Sequence, residues 1–462
     1  MPRVHGSRRV VEDFRYLADR IADEIAAGRL RPGQRLLPQR TFARRRGIAA
    51  STAGRVYAEL VRRGLVVGEV GRGSFVRAAT GPEAAGRALT EASAAGRSVN
   101  LELNYPSAAG QSEILAPALA SLLRPDALTE ALRPAAATGH AAARDAVAAL
   151  LGTGAWRPDP AGILFTGNAR QAIAATLASV VRPGGRVGVE PLTYPLVKEM
   201  AARLGITLVP LAADDGGLCP RSVAAAHRTA PLSALYVQPT LHNPTSVTMG
   251  AERRGQLATV VQELGLPVVE DRIWSFLHQG PEPPLAALAP ALTHVVDGLS
   301  KRVAPGLTVG FAVVPPDRAE AVASAIRSGG WSAGAFALEA AVRWLGDGTV
   351  ARLVAAKRAD AARRQRLVAE ELAGFTVRSD PQAYFAWWEL PARWRADTFT
   401  AAAAARGIAV TPGTAFRVDP NRTPDAVRLG LASVSEPELV EALRALAGVV
   451  GGARPKGDVR AG

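Results

Sequence analysis

Seven short apolar runs, separated by alanine- and leucine-rich stretches of helical character, constrain this chain more than any other feature. They are GILFTG (162–167), RVGVE (186–190), TLVPL (207–211), ALYVQ (234–238), PVVED (267–271), THVVDGLS (293–300) and VGFAVVP (309–315). Strands that alternate with helices pair in parallel beneath a helical cover, and strands buried on both faces read as continuous apolar runs. The expected fold class is therefore α/β, with a mostly parallel sheet spanning residues 101–450. Ligands on such sheets sit beyond the carboxyl ends of the strands. The residues that follow each run are thus the ones to read for function.

Those residues are unusual. THVVDGLS leads into Lys301, in a chain whose only lysines are Lys198, Lys301, Lys357 and Lys456. A lysine at the end of a buried strand is activated by partial desolvation and by neighbouring cations, and can form an imine with an aldehyde. Asp271 ends PVVED, where an unpaired carboxylate is costly. Asn243 stands before a proline in YVQPTLHNPTSVTM, and Tyr194 follows the second run in PLTYP. GILFTG continues into NARQAIAATLASVV, read as a helix that starts at Gly167 and offers main-chain amides to a phosphate. Taken singly, each fits an ordinary βα turn or a packed ring. Together they supply what pyridoxal phosphate needs: a lysine, an acid for the pyridine nitrogen, a phosphate cradle and a ring to stack on.

The front of the chain is different in kind. Residues 1–78 hold seventeen arginines against seven Asp plus Glu, so +10 of the chain's formal +14 lies there. EDFRYLADRIADEIAA (12–27) spaces Phe14, Leu17, Ile21 and Ile25 as an amphipathic helix, ended by Gly28 and Pro32-Gly33. PQRTFARRRG (38–47) reads as a second helix that turns at Gly47. STAGRVYAELVRRG (51–64) reads as a third, capped by Ser51 and ended by a glycine. LVVGEVGRGSFVRA (65–78) alternates around Gly71-Arg72-Gly73 as two strands and a tight turn. Three helices and a hairpin make a winged helix-turn-helix. Its third helix would enter the major groove, with Ser51, Thr52 and Arg55 nearest the bases and Arg40, Arg44 and Arg72 on phosphates. A solvated basic face on an unrelated helical domain is the alternative at this point.

Other features bound the setting. Cys219 is the only cysteine, which excludes an intrachain disulfide and fits a reducing, cytoplasmic location. No run is long and apolar enough for a membrane span or a signal peptide, and no metal-ligand cluster is read. Residues 79–100, rich in Ala, Gly and small polar residues, read as a linker, and 451–462 as a disordered tail.

Two resemblances sharpen these readings. Pro32-Gly33, Leu37-Pro38 with Arg40 close behind, Ser51-Thr52 and Gly71-Arg72-Gly73-Ser74-Phe75-Val76 resemble the GntR-type winged helix over about fifty residues. That family often has arginine before the Ser-Thr pair, where this chain has Ala50. Asp271 followed thirty residues later by Lys301 resembles fold-type-I, class I aminotransferases over residues 100–445. The resemblance implies a covalent imine (aldimine) at Lys301, Asp271 on the pyridine nitrogen, Tyr194 against the ring and Asn243 on the ring hydroxyl. It further implies Gly167, Asn168 and Ala169 on the phosphate, with Ser300 and Thr308 nearby, and Arg428 on a substrate carboxylate through its bidentate fork.

Two departures stand out. The family tyrosine after the aspartate is replaced by Ile273 and Trp274. The arginine of Lys-x-x-x-Pro-Gly-Leu-Arg is Thr308, which removes one charge-assisted contact worth on the order of 1.5–3 kcal/mol. Arg302 and Arg170 are the candidates to replace it. A winged helix (1–78), a linker and an aminotransferase-like part (101–450) on one chain is similar to the layout of MocR-type regulators. That layout implies a double-stranded DNA operator, an effector that is pyridoxal phosphate, an amine or an amino acid, and a head-to-tail homodimer. A working aminotransferase with a DNA-binding appendage is the alternative. A third reading is a dimerisation domain that has lost its cofactor.

Overall fold

The computed structural model describes residues 14–27, 29–30, 34–63, 65–69, 73–76, 99–419 and 425–452. The expectations for Gly28, Pro32-Gly33, Gly64, Arg72 and its turn, most of the linker and the tail lie outside the described residues.

At the front, helices Phe14–Ala26, Gln39–Arg46 and Ala50–Arg62 pack with an antiparallel hairpin, Val66–Glu69 against Gly73–Val76. One apolar cluster joins them through Leu17, Ile21, Phe42, Val56, Leu60 and Val76. Gly47 ends the second helix at φ 64°, the left-handed conformation that glycine adopts without strain. Ser51 does not cap the third helix. That helix starts one residue earlier, after extended Ala49, and no side chain caps it, so Ser51 lies within the first turn.

The large part is built on a seven-stranded sheet. Its strands run in the order Ile163–Thr166, Gly310–Val313, Thr293–Gly298, Val268–Asp271, Ala234–Val237, Arg186–Val189 and Thr207–Pro210. All pairings are parallel except those of Gly310–Val313, which is antiparallel to both neighbours. Each of the seven runs expected from sequence is a strand. Apolar clusters cover both faces: Phe165, Val295 and Phe311 on one, Leu164, Tyr236 and Val296 on the other.

The antiparallel strand brings the Lys301 turn and the helix Ala169–Val180 together. Thr293–Gly298 leads through residues 299–309 straight into its neighbour, with Gly298 opposite Gly310. A Cβ on Gly310 would lie 2.1 Å from the Asn168 carbonyl carbon. Glycine there is what allows the close approach.

A second sheet was not legible in the apolar pattern. Thr376–Ser379, Phe385–Glu389, Ala426–Gly430 and Thr411–Pro412 form four antiparallel strands. They share a cluster with helices Ala396–Ala404 and Glu436–Gly452 through Trp388, Phe399, Leu429 and Leu443. Residues 99–103 cross this sheet: Val99–Asn100 pairs with Ile408–Ala409, and Gly430 N donates to the Leu101 carbonyl at 2.7 Å. No helix among the described residues is long and apolar enough to cross a membrane.

Candidate functional site

A cavity opens at the carboxyl ends of the large sheet's central strands. Its walls include Asn168, Ala169, Tyr194, Asn243, Asp271, Ser300, Lys301, Thr308 and Arg428. Parallel strands put their last residues on one side of the sheet, which is why positions from Asn168 to Lys301 converge, while Arg428 comes from the small sheet.

Asp271 is buried and tightly held. Tyr236 Oη and Gln238 Nε2 donate to its Oδ2 at 2.6 and 2.8 Å, and Ile273 N donates to Oδ1 at 3.0 Å. Burial raises its pKa to about 6, against the opposing pull of those three donors. Glu270, one residue earlier and on the opposite face, accepts from Ala286 N at 3.2 Å and plays no part in the cavity. Gln238 joins two site residues, because its Oε1 also accepts from Asn243 N at 3.3 Å. The Gln238 amide in turn donates to Glu190 Oε1 at 3.0 Å, and burial pushes Glu190 up to about 7.

Lys301 stands across from this acid. Its Nζ donates to the Asn104 carbonyl at 2.7 Å and lies 4.0 Å from the Tyr105 ring centre and 5.1 Å from that of Trp274. Burial, with Arg428, Arg170 and Lys357 adding positive charge, holds its pKa well below the ordinary lysine value. A neutral amine is the nucleophilic form.

Arg428 is no surface arginine. It sits on an interior strand of the small sheet, opposite both Trp387 and Thr411. Its Nη2 donates to the Glu102 carbonyl, and to Thr411 Oγ1 at 3.0 Å. Its buried Nε has no hydrogen-bond partner among the described residues, and burial lowers its pKa to about 10.

The phosphate end needs two corrections. Asn168, not Gly167, starts helix Ala169–Val180, accepting from Gln171 N at 3.1 Å through Oδ1. The Gly167 amide donates to the Trp331 carbonyl at 3.1 Å, so it is not a free phosphate donor, whereas Asn168 and Ala169 line the cavity. Arg302 does not take the place of the missing family arginine. Its guanidinium is buried against Asp297 at 2.6 and 2.9 Å and does not line the cavity. Arg170 does line it, beside Ser300 and Thr308. Ile273 and Trp274 both reach the cavity where the family has tyrosine.

Four contributors escaped sequence reasoning. Glu102, Asn104 and Tyr105 enter from the segment after the linker, and Gln238 joins the acid to Asn243. Gln238 follows an apolar run as the other site residues do, and that position was its signal. The other three follow no strand of the large sheet.

On the front module, Arg40, Arg44 and Ser51 are exposed and Thr52 is half-buried. Arg55 lies 4.0 Å over the Phe14 ring, a stacking contact with the first helix.

Residues 99–446 match the family model for aminotransferase class I and II. The chain belongs to that family. Membership implies pyridoxal phosphate as the cofactor, and the cavity fits it. Lys301 offers an amine, Asp271 a fixed carboxylate and Asn168–Ala169 a helix N-terminus, while the buried Asn243 Oδ1 has no partner among the described residues. Among solved structures, an archaeal alanine:glyoxylate aminotransferase shares the fold at TM-score 0.71 and 20% identity, covering 76% of this chain and 90% of that one. LysN, the alpha-aminoadipate aminotransferase of Thermus thermophilus, does so at 0.70 and 22%, covering 78% and 93%.

Relatives that also span the front module carry a different kind of name. The HTH-type transcriptional regulator YdeF of Bacillus subtilis is 29% identical over 93% of this chain and 92% of its own length. YdcR of Escherichia coli, named likewise, is 23% identical over 89% and 93%. Regulators of that name together with a class I and II aminotransferase domain match the MocR type.

Proposed function

We propose that this protein is a DNA-binding transcriptional regulator whose aminotransferase-like part holds pyridoxal phosphate at Lys301 and senses the cofactor itself, an amine or an amino acid. The observation that carries this reading is one chain with both a basic three-helix-and-hairpin module and a cavity in which Lys301, Asp271, Asn243 and Arg428 converge. When bound, pyridoxal phosphate supplies an aldehyde that condenses reversibly with amines.

The chain's own residues divide the work. Lys301 Nζ, whose pKa burial and neighbouring cations hold well below the ordinary lysine value, would be the attachment point. Asp271 Oδ2, fixed by Tyr236 and Gln238, would hold the proton on the ring nitrogen. Tyr194 would stack on the ring, and Asn243 would hydrogen-bond the ring hydroxyl. The amides of Asn168 and Ala169, the Ser300 and Thr308 hydroxyls and Arg170 would receive the phosphate. Arg428 takes an effector carboxylate. Trp274 closes the wall and, having only an indole N–H, moves no proton.

On DNA, we assign Ser51, Thr52 and Arg55 to the bases and Arg40, Arg44 and Arg72 to phosphates, with the linker between the two parts. Two half-sites suit a two-fold protein. We place the chains head to tail as a dimer, in the cytoplasm.

Two experiments test the reading together. Titration of the purified chain with pyridoxal phosphate is expected to give a visible absorption band that Lys301→Ala abolishes. Footprinting is expected to find a preferred DNA site whose occupancy changes with the cofactor or with a carboxylate-bearing amine. No preferred site under any of these conditions would sink the proposal. Steady amino-acid-to-keto-acid turnover at enzymic rates would replace it with the aminotransferase reading.

A further inference from the structure

Lysine is so rare in this chain that each one invites a reason, and Lys357 has no part in the cavity. It lies in helix Thr349–Glu371, which packs beneath the Lys301 turn, and it is 0% exposed. Its Nζ donates to the carbonyls of Lys301, Arg302 and Val303 at 3.1, 2.9 and 2.7 Å. An ammonium has three N–H donors and here meets three acceptors, consecutive along the chain. They belong to the tight turn that closes with Val303 N donating to the Leu299 carbonyl at 2.6 Å. Among the described residues, no carboxylate pairs with Lys357. The helix's nearby acid, Asp360, pairs with Arg363 and Arg364 and accepts from Tyr384 Oη. A buried ammonium compensated only by carbonyl dipoles is a costly placement, and burial lowers its pKa to about 8, so below that pH its benefit must lie in the turn it gathers.

That turn is gripped from a second side as well. Arg302 Nη1 donates to Asp297 Oδ1 at 2.6 Å and to the Gly298 carbonyl at 3.0 Å. Arg302 ties the turn to its own strand, whereas Lys357 ties it to a helix that also packs on the helix after the small sheet's last strand.

We propose that Lys357 is a positioning residue for Lys301: its ammonium orders the 301–303 turn so that the Lys301 amine is presented to the cavity, and it links that amine to helix Thr349–Glu371. The proposal deepens the reading of Lys301 as the cofactor's attachment point and rests on it. A second consequence follows from charge. The groups that face Lys301 are Arg428 from the small sheet, Arg170 from the phosphate-site helix, Lys357 from below, and Asp271, Tyr105 and Tyr194 around the cavity. Lys357 is one of the three cations that disfavour a charged Lys301, so neutralising it raises the pH at which Lys301 loses its proton.

The test uses the full-length chain and the variants Lys357→Gln and Lys357→Arg. Competitive acetylation of the cofactor-free protein over a pH series, read by mass spectrometry, reports the Lys301 midpoint, with Lys198 as internal reference. The midpoint is expected to rise in Lys357→Gln, to stay near wild type in Lys357→Arg, and not to move for Lys198. Covalent attachment of pyridoxal phosphate is expected to slow by about ten- to a hundredfold in Lys357→Gln, the scale of a displaced reacting group. Pyridoxine 5′-phosphate, which has no aldehyde, is expected to bind as before.

An unchanged midpoint with an unchanged attachment rate would overturn the proposal. So would an equal loss of pyridoxine 5′-phosphate binding, or failure of both variants to fold, either of which makes Lys357 merely structural. If wild-type protein itself gives no band dependent on Lys301, the cofactor reading fails instead, and the acetylation arm still decides the role of Lys357.

Discussion

The cavity and the front module both concentrate charge, and they use it in opposite ways. In the cavity, Asp271 and Arg428 are buried and Lys301 is half-buried, and their pKa values are moved: the acid's up, the two bases' down. On the front module, Arg40 and Arg44 stand exposed to water on the second helix. Dry charge changes the chemistry a side chain can do, whereas wet charge attracts a polyanion and is weakened by salt. One chain carries both because the regulator proposed here has to bind a reactive small molecule and a phosphate backbone.

The comparison breaks most visibly at Lys301. Replacing it with alanine is expected to remove the visible band completely while leaving the DNA affinity of the cofactor-free protein at fixed salt unchanged. A loss of DNA binding of the same size would mean that the two regions are not separable. Salt is the next largest lever. If a dimer makes about six phosphate contacts, raising salt from about 50 to about 200 mM is expected to weaken DNA binding by about a thousandfold. Fluorescence anisotropy measures this, and the affinity for pyridoxine 5′-phosphate in the same buffers should move far less.

A third test concerns the buried acid behind the cavity. Burial raises Glu190 from 4.5 to about 7. Its folded pKa lies above its unfolded one, so its contribution to stability is present at low pH and lost as pH rises through that window. Glu190→Gln keeps the acceptor for the Gln238 amide and removes the charge. It is expected to stabilise the protein by on the order of 3 kcal/mol at pH 8 and by little at pH 4, read from denaturant midpoints. A gain equal at both pH values would show that ionisation is not the cause.

The smallest effect is expected at Arg428. Lys in its place keeps a charge but loses the fork, so affinity for an amine bearing a carboxylate should fall about tenfold. An amine without one should bind unchanged. Equal losses for both would remove Arg428 from effector recognition.

How much of this was legible beforehand differs between the two sheets. The seven large-sheet strands are apolar throughout because both faces are covered, and each could be found from its own few residues. The small sheet's strands carry Arg378, Glu389 and Arg428 among their apolar residues. Their pairing depends on partners that the local pattern does not name. Within the site, Asp271 and Lys301 were legible because each ends a buried run. Of the two candidates for the missing arginine, Arg302 drops out because a side chain next to a functional one can face the other way, and Gly167 was misjudged because a turn amide can be taken by a distant carbonyl.

Sequence alone determined the order of strands and helices, and with it the place where a ligand must sit. It also determined the lysine–acid spacing and the basic front, because each depends on near neighbours along the chain. Tertiary structure decided the rest. Asn104 meets Lys301 across 197 residues of sequence, and Lys357 reaches the Lys301–Val303 carbonyls across 54 to 56. Tyr236 is set on Asp271 by the parallel pairing of their two strands. These contacts arise only when separate elements are packed at fixed register and depth, and burial at that depth then sets which groups are charged.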